Sequence, residues 1–149
     1  LAKANGNYIN SMLALDEAMS KGYDEALLLD SKGNVAEGSG ENIFMVKDGV
    51  LYTPTLVASL NGITRNTIIT LAKEQGYEVV ETTMKIEQLY DADEVFFTGS
   101  AAEVTPIREI DDNVIGNGSR GPVTRELQTM YFDLVHGRLD IHPDWLNYV

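Results

Sequence analysis

Apolar residues recur at helical spacing in four parts of the chain. A first helix is predicted over about 8–22 and a second over about 62–76, each ending at a glycine. A short helix is predicted over Ile86–Tyr90, and a last one over about Pro122–Val135, with proline in its first turn. On the second helix, one side is expected to consist of Ile63, Thr67, Ile68 and Leu71.

Alternating or continuous apolar runs predict strands between these helices. They cover about 25–29, 41–46, 50–52, 78–83 and 94–98. A further strand over 103–110 is expected to be interrupted at Pro106, and residues 111–121 are expected to form a loop. The mixture predicts an α/β (α+β) fold with mixed sheets and surface helices, in a single domain over residues 1–149.

One segment breaks the strand pattern with acidic and small residues. A turn signal at 30–34 follows the apolar run 26–29, and Glu37-Gly38-Ser39-Gly40-Glu41 comes next, before the following strand. Glycine in a strand allows a bulge or the close approach of another molecule. We therefore expect Glu37, lying between strands, to meet a flat or bulky ligand. The alternative is a glycine-rich kink with a solvated glutamate.

Composition excludes several classes of protein. The 149 residues suffice for one domain with a real core, and 44% hydrophobic and 23% charged residues are ordinary for a globular protein. A net charge of −12 argues against nucleic acid, and the absence of cysteine excludes disulfides, thiolate nucleophiles and Cys-ligated metals. No apolar run approaches the ~20 residues of a membrane span. No signal peptide opens the chain, so we expect a cytoplasmic protein.

Two further segments have features of anion sites. Gly62-Ile63-Thr64 opens the second helix, where unpaired N–H groups and the helix dipole favour phosphate. An ordinary threonine N-cap is the alternative there. Gly99-Ser100-Ala101-Ala102 follows an apolar strand and leaves N–H groups and a hydroxyl open to an anion, or else forms a small-residue turn. Lys3 taken alone is typical of a solvated terminal charge.

Taken in order, four segments resemble those of one family. They are Lys3 with Asn5-Gly6-Asn7-Tyr8, the octapeptide from Glu37 to Phe44, the hexapeptide from Leu60 to Arg65, and the octapeptide from Gly99 to Pro106. Their order is that of the fold type IV pyridoxal-phosphate enzymes, and the chain is most similar to the branched-chain amino acid aminotransferases. The resemblance covers nearly the whole chain. It implies the large, C-terminal, cofactor-binding domain, with mixed sheets in a pseudo-barrel arrangement and surrounding helices.

The resemblance also implies a role for each residue of these segments. Lys3 would bind pyridoxal 5'-phosphate covalently and then move the proton between substrate and cofactor. Glu37 would keep the pyridine nitrogen protonated, which strengthens the ring as an electron sink. Further cofactor contacts would come from Tyr8, Leu60, Gly62, Ile63, Thr64 and Ser100. The backbone N–H groups of Ser100 and Ala101 would bind the substrate carboxylate, and no metal is expected.

The implied activity is transfer of an amino group between leucine, isoleucine or valine and 2-oxoglutarate. The alternatives are another fold type IV enzyme, acting on D-amino acids or aminodeoxychorismate, and a non-catalytic fragment that binds anions or serves in assembly. The smaller N-terminal domain of the family is absent from the chain, so we expect the chain to be inactive alone. The resemblance favours a homodimer or an assembly of dimers that binds amino acids and 2-oxo acids, and neither nucleic acid nor membrane.

Three other polar features are expected to be structural. Arg65 should pair with an acidic neighbour, and Asp91-Ala92-Asp93-Glu94 should form a solvated turn. His136 and His142 are expected on the surface, since neither has the spacing of a metal or catalytic site.

Overall fold

The structure, a computed structural model, describes eight parts of the chain. They are residues 2–5 (backbone only), 19–20, 22, 25–30, 32–38, 41–55, 62–99 and 103–135. Most of the predicted first helix lies outside these ranges, and only Met19 and Ser20 of it are described, in helical conformation. His136 and His142 also lie outside the described residues.

The described strands belong to two five-stranded sheets. The first sheet contains β1 (Ala2–Asn5), β2 (Glu25–Leu29), β3 (Val35–Gly38), β9 (Glu109–Ile110) and β10 (Asn113–Val114), in the order β10-β9-β1-β2-β3. The second contains β4 (Asn42–Lys47), β5 (Val50–Thr53), β6 (Val79–Glu81), β7 (Glu94–Gly99) and β8 (Glu103–Ile107), in the order β6-β5-β4-β7-β8. Both combine parallel and antiparallel pairs.

Three helices complete the described part of the fold. They are α1 (Ile63–Glu74), α2 (Ile86–Tyr90) and α3 (Pro122–Val135), close to the bounds expected from the sequence. The predicted fold class, mixed sheets with surrounding helices, is confirmed, and the two sheets remain open within the described strands rather than closing into a barrel. None of the described helices has the length and apolar character of a membrane span.

One apolar cluster lies between the two sheets. Leu27 and Val35 from the first sheet meet Ile43 and Phe97 from the second, and each is at most 4% exposed. Burying such side chains contributes roughly 1.5–3 kcal/mol each relative to leaving them exposed. This cluster therefore fixes the position of β2 and β3 against the second sheet.

A second apolar cluster lies on the other face of the second sheet. Phe44 and Phe96 stack there with ring centroids 5.1 Å apart, and they pack against Ile68 of α1 and Leu127 of α3. Because side chains alternate along a strand, β4 contributes Phe44 to this cluster and its neighbours to the first. The second sheet is consequently covered on both faces, and α1 is held against it.

The buried side of α1 differs from the one expected. Ile63 is 74% exposed, so its expected place among the apolar residues is wrong. Thr64 and Arg65 are buried instead, on the same side as Ile68 and Leu71. Positions three and four apart share a helix face, which places 64, 68 and 71 towards the sheet and 63 away from it.

Three predictions about strands are also wrong. Glu37 does not lie between strands but inside β3. Pro106 does not interrupt its strand, because β8 is an edge strand, where a missing N–H group need not remove a ladder bond. The break falls at Arg108, and the expected loop over 111–121 contains the short strand β10.

The predicted solvated turn at 91–94 is wrong for Glu94. This residue is only 8% exposed, and its carboxylate accepts hydrogen bonds from the backbone N–H groups of Val123 (3.2 Å) and Thr124 (2.7 Å). The two aspartates of the segment are exposed, as expected. Glu94 therefore caps α3.

Candidate active site

The N-terminus of α1 has the properties of an anion site. Its N-cap residue is Gly62, and within the described residues the helix has no side-chain cap and no acidic residue in its first turn. The first N–H groups of a helix have no partner within the helix, and the helix dipole favours negative charge there. This end of α1 can therefore accept an anion.

The N-terminus of α3 differs, because the protein fills it with its own carboxylate. Glu94 accepts from the first N–H groups of the helix. Gly121 makes room for it, since a Cβ at residue 121 would overlap the Glu94 side chain. Of these two longer helices, only α1 lacks such a carboxylate among the described residues.

Thr64 is the second residue of α1 and not its N-cap, so the alternative of an ordinary threonine cap is wrong. The residue is 6% exposed, and its Oγ1 lies 3.4 Å from the hydroxyl of Tyr131 in α3. This contact joins the first turn of α1 to α3. A hydroxyl in this place can also donate a hydrogen bond to an anion bound at the helix end.

Gly62 fits closely against β4. The side chain of Asn42, which is 6% exposed, occupies the space that a Cβ at residue 62 would need. Since the backbone angles of Gly62, φ −74° and ψ 143°, are open to any residue, glycine is required here for space. The start of α1 consequently lies beside the first residue of β4.

The segment that leads to Ser100 ends at the same place. Thr98 of β7 pairs with Asn42 of β4, so the last residues of β7 lie beside the residue that contacts Gly62. Thr98 is fully buried, and its Oγ1 has no hydrogen-bond partner in the described part of the chain. Ser100 and Ala101 themselves lie outside the described residues.

Glu37 owes its orientation to an irregularity in β3. Leu29 pairs with Val35, whereas Leu28 pairs with Glu37, so that Ala36 and Glu37 together lie opposite one residue of β2. Such a bulge re-aims a side chain. Without it Glu37 would share the face of Val35, which packs into the core between the sheets. With it Glu37 shares the face of Leu28, and it is a buried carboxylate, 4% exposed.

The sheet register places Lys3 on that face as well. Lys3 pairs with Ala26 and Asn5 pairs with Leu28, which is the partner of Glu37. Paired residues and residues two apart share a face, so positions 3 and 37 belong to the same face with β2 between them. Two strand spacings correspond to about 10 Å. The side chain of Lys3, like Tyr8 and Leu60, lies outside the described residues.

Two further carboxylates near Glu37 were not identified from the sequence. Burial, a hydrogen bond with Glu25 and the negative charges of Glu25 and Glu37 raise the pKa of Glu41 to about 8. Glu41 is half-buried, and its Oε2 has no hydrogen-bond partner among the described residues. The two flanking glutamates are visible in the sequence, but only the fold brings β2 and the 37–41 segment together.

The sequence as a whole points to one family. Residues 2–110 match amino-transferase class IV. The chain belongs to this family. The matched range contains position 3, Glu37, the start of α1 and the end of β7.

Curated relatives extend the match along almost the whole chain. The chain is 64% identical over 144 residues to the branched-chain-amino-acid aminotransferase of Pseudomonas aeruginosa, covering 97% of this chain and 47% of that protein. It is 50% identical over 149 residues to the branched-chain-amino-acid aminotransferase of Escherichia coli K12, covering 99% and 48% respectively. The chain thus spans about half the length of the curated relatives it matches.

Solved structures agree with the sequence relatives. A crystal structure of a branched-chain amino acid aminotransferase complexed with N-(5'-phosphopyridoxyl)-L-glutamate, from the organism abbreviated T.th., matches the fold with a TM-score of 0.93. It is 45% identical over 97% of this chain and 54% of that one. The branched-chain amino acid aminotransferase from Escherichia coli matches with a TM-score of 0.88 and 43% identity, over 94% and 54%. Both likenesses concern the described fold of two mixed sheets with surrounding helices.

Proposed function

We propose that this chain is the cofactor-binding part of a branched-chain amino acid aminotransferase and that its cofactor is pyridoxal 5'-phosphate. The observation that carries the proposal is the bulge in β3, which puts the buried carboxylate of Glu37 on the same sheet face as position 3. A ring with a basic nitrogen fits beside such a carboxylate. The relatives bound to pyridoxamine 5'-phosphate and to a phosphopyridoxyl adduct support the same cofactor.

The phosphate of the cofactor fits the N-terminus of α1. Gly62 provides an N-cap without a side chain, and the first turn lacks an acidic residue. A dianion there gains from the helix dipole and from free N–H groups. In this proposal the N–H groups of Ile63 and Thr64 and the Thr64 hydroxyl bind the phosphate, with Ser100 assisting. Tyr8 and Leu60 contact the ring oxygen and the ring face.

When bound, the cofactor supplies an aldehyde that exchanges amines and a ring that accepts the electron pair released at the substrate α-carbon. Each residue then has one task. Lys3 holds the aldehyde carbon covalently and, once displaced by substrate, its amine moves the α-proton. Glu37 holds a proton on the pyridine nitrogen. The backbone N–H groups of Ser100 and Ala101 bind the substrate carboxylate.

The proposed substrates are leucine, isoleucine and valine, with 2-oxoglutarate as the acceptor. Their support is the printed activity of the relatives, since the described residues contain no complete side-chain pocket. An enzyme for D-amino acids or aminodeoxychorismate, or a non-catalytic anion-binding fragment, is not favoured by these relatives. A dimer-based assembly in the cytoplasm remains a prediction.

The proposal is tested by transamination assays on the full-length protein and on the 149-residue chain. The full-length protein should be yellow with bound cofactor and should transfer amino groups from leucine, isoleucine and valine to 2-oxoglutarate, but not from D-alanine. The chain alone should fold yet transaminate poorly, because a half-open site loses orientation and water exclusion, of which orientation alone can be worth ~7–11 kcal/mol. A full-length protein that binds no cofactor, or that prefers D-alanine, would refute the proposal.

A further inference from the structure

Arg65 is a buried arginine in the first turn of α1, directly after Thr64. It is 2% exposed. Its Nη2 donates to Glu81 Oε1 at 2.6 Å and to the backbone carbonyl of Pro54 at 3.1 Å, and its Nη1 donates to Asn66 Oδ1 at 3.2 Å. The pairing with an acidic neighbour that the sequence predicted is confirmed.

These contacts connect the start of the helix to two neighbouring strands. Glu81 is the last residue of β6, and Pro54 follows directly on β5, which is the parallel partner of β6. Pro54 also precedes the stretch of chain that returns to Gly62. One planar guanidinium therefore fixes the first turn of α1 against the sheet, and its fork of donors makes this possible.

Stability alone does not account for an arginine in this place. A positive charge at a helix N-terminus is opposed by the helix dipole, by roughly 0.3–1 kcal/mol in exposed cases. Burial of the guanidinium adds a desolvation penalty, and its Nε has no hydrogen-bond partner among the described residues. An apolar residue would fill the same position at lower cost, so the geometry that Arg65 imposes has another use.

We propose that Arg65 is a positioning residue for the cofactor phosphate. It does not touch the phosphate, but it holds the N–H groups of Ile63 and Thr64 in the arrangement that binds a dianion. This inference rests on the proposed function, since it assumes that the N-terminus of α1 is the phosphate site. A loosened first turn then lowers affinity for the phosphate and leaves the contacts to the pyridine ring unchanged.

The test compares two ligands on the full-length protein, pyridoxal 5'-phosphate and pyridoxal, which has the same ring without the phosphate. Dissociation constants are measured by equilibrium dialysis. Arg65→Met should weaken binding of pyridoxal 5'-phosphate roughly tenfold or more, as expected for charged hydrogen bonds, and should change pyridoxal binding less than about twofold. Arg65→Lys, which keeps the charge but not the fork, should restore only part of the loss.

Two more variants keep the test decisive. Tyr77→Phe removes the 2.6 Å hydrogen bond from Tyr77 to Glu126 beyond the other end of α1, and it should leave the ratio of the two affinities at the wild-type value. Glu81→Ala removes the main partner of Arg65 from a half-exposed position, so it should fold even where Arg65→Met does not. It should give the same selective loss, in smaller measure.

The outcomes separate two failures. A wild-type protein that binds both ligands equally would refute the phosphate site and with it the proposed function. A wild-type protein that prefers the phosphorylated ligand, combined with equal losses for both ligands in Arg65→Met, would overturn the positioning role alone. Unchanged or tighter binding of pyridoxal 5'-phosphate by Glu81→Ala would overturn it as well.

Discussion

The side chain of Asn42 occupies the space that a β-carbon at Gly62 would fill. This contact links the first residue of β4 to the N-cap of α1, the two places at which the buried carboxylate segment and the proposed phosphate site approach each other. The glycine is required by its neighbour, since its own backbone angles are open to any residue.

Gly62→Ala should therefore destabilise the protein by overpacking, on the order of 1–3 kcal/mol, as measured by urea unfolding. The double variant with Asn42→Ser should lose less than the sum of the two single changes, because the smaller side chain makes room. Gly49→Ala is the matched control: Gly49 has φ 78° and no atom within contact range, so Asn42→Ser should not relieve it. Strict additivity for Gly62 and Asn42 would contradict the contact.

Thr64→Ala should weaken retention of pyridoxal 5'-phosphate by about one charged hydrogen bond, on the order of 1.5–3 kcal/mol. Thr64→Ser should retain most of the affinity because it keeps the hydroxyl. Tyr131→Phe removes the other member of the 3.4 Å pair and is the control for a purely structural effect. Equilibrium dialysis of the three variants decides the question, and equal losses in Thr64→Ala and Tyr131→Phe would deny the phosphate contact.

The secondary structure could be predicted well where periodicity was strong. α2 and α3 have the predicted bounds, and β2 and β4 agree to within a residue or so. The bulge in β3 could not be predicted, because alternation along 35–38 contains no signal for which residue is extra. Its consequence is the most important feature of the site, since the bulge decides which way Glu37 faces.

Other features depend on partners that are distant in the sequence. Thr64 and Arg65 look like polar surface residues by composition, and they are buried only because Tyr131 and Glu81 lie against them. The raised pKa of Glu41 similarly requires Glu25 from another strand. The four resembling segments indicated which residues form the site, but not how they are supported.

Glu37→Gln should retain cofactor yet slow the transamination half-reaction by about 10²-fold or more, because an amide stabilises a protonated pyridine nitrogen poorly. Single-turnover absorbance changes with leucine measure this rate. Glu25→Gln is the matched change at the neighbouring strand β2 and should have a much smaller effect. Near-normal turnover in Glu37→Gln would assign this carboxylate a structural role only.

Glu41 should make stability depend on pH. Its pKa is raised from 4.5 to about 8 in the folded protein, so the folded state binds the proton more tightly and stability falls as pH rises from about 4.5 to about 8. Glu41→Gln should remove this decline and stabilise the protein above pH 8. Discounted for a half-exposed carboxyl, the gain is on the order of 1–2 kcal/mol.

Urea unfolding across this pH range measures the effect, with Glu78→Gln as an exposed control on the same chain. The control should run parallel to the wild type. A Glu41→Gln variant that also runs parallel to the wild type would show that Glu41 is not a buried, protonated carboxyl.

Covalent attachment at Lys3 is the most direct test of the account. The full-length protein is loaded with pyridoxal 5'-phosphate, reduced with borohydride, digested and analysed by mass spectrometry. We predict the phosphopyridoxyl group on Lys3, on the same sheet face as Glu37, and no labelling in Lys3→Ala. Attachment at another lysine, such as Lys73 or Lys85, would contradict the assignment of the active site.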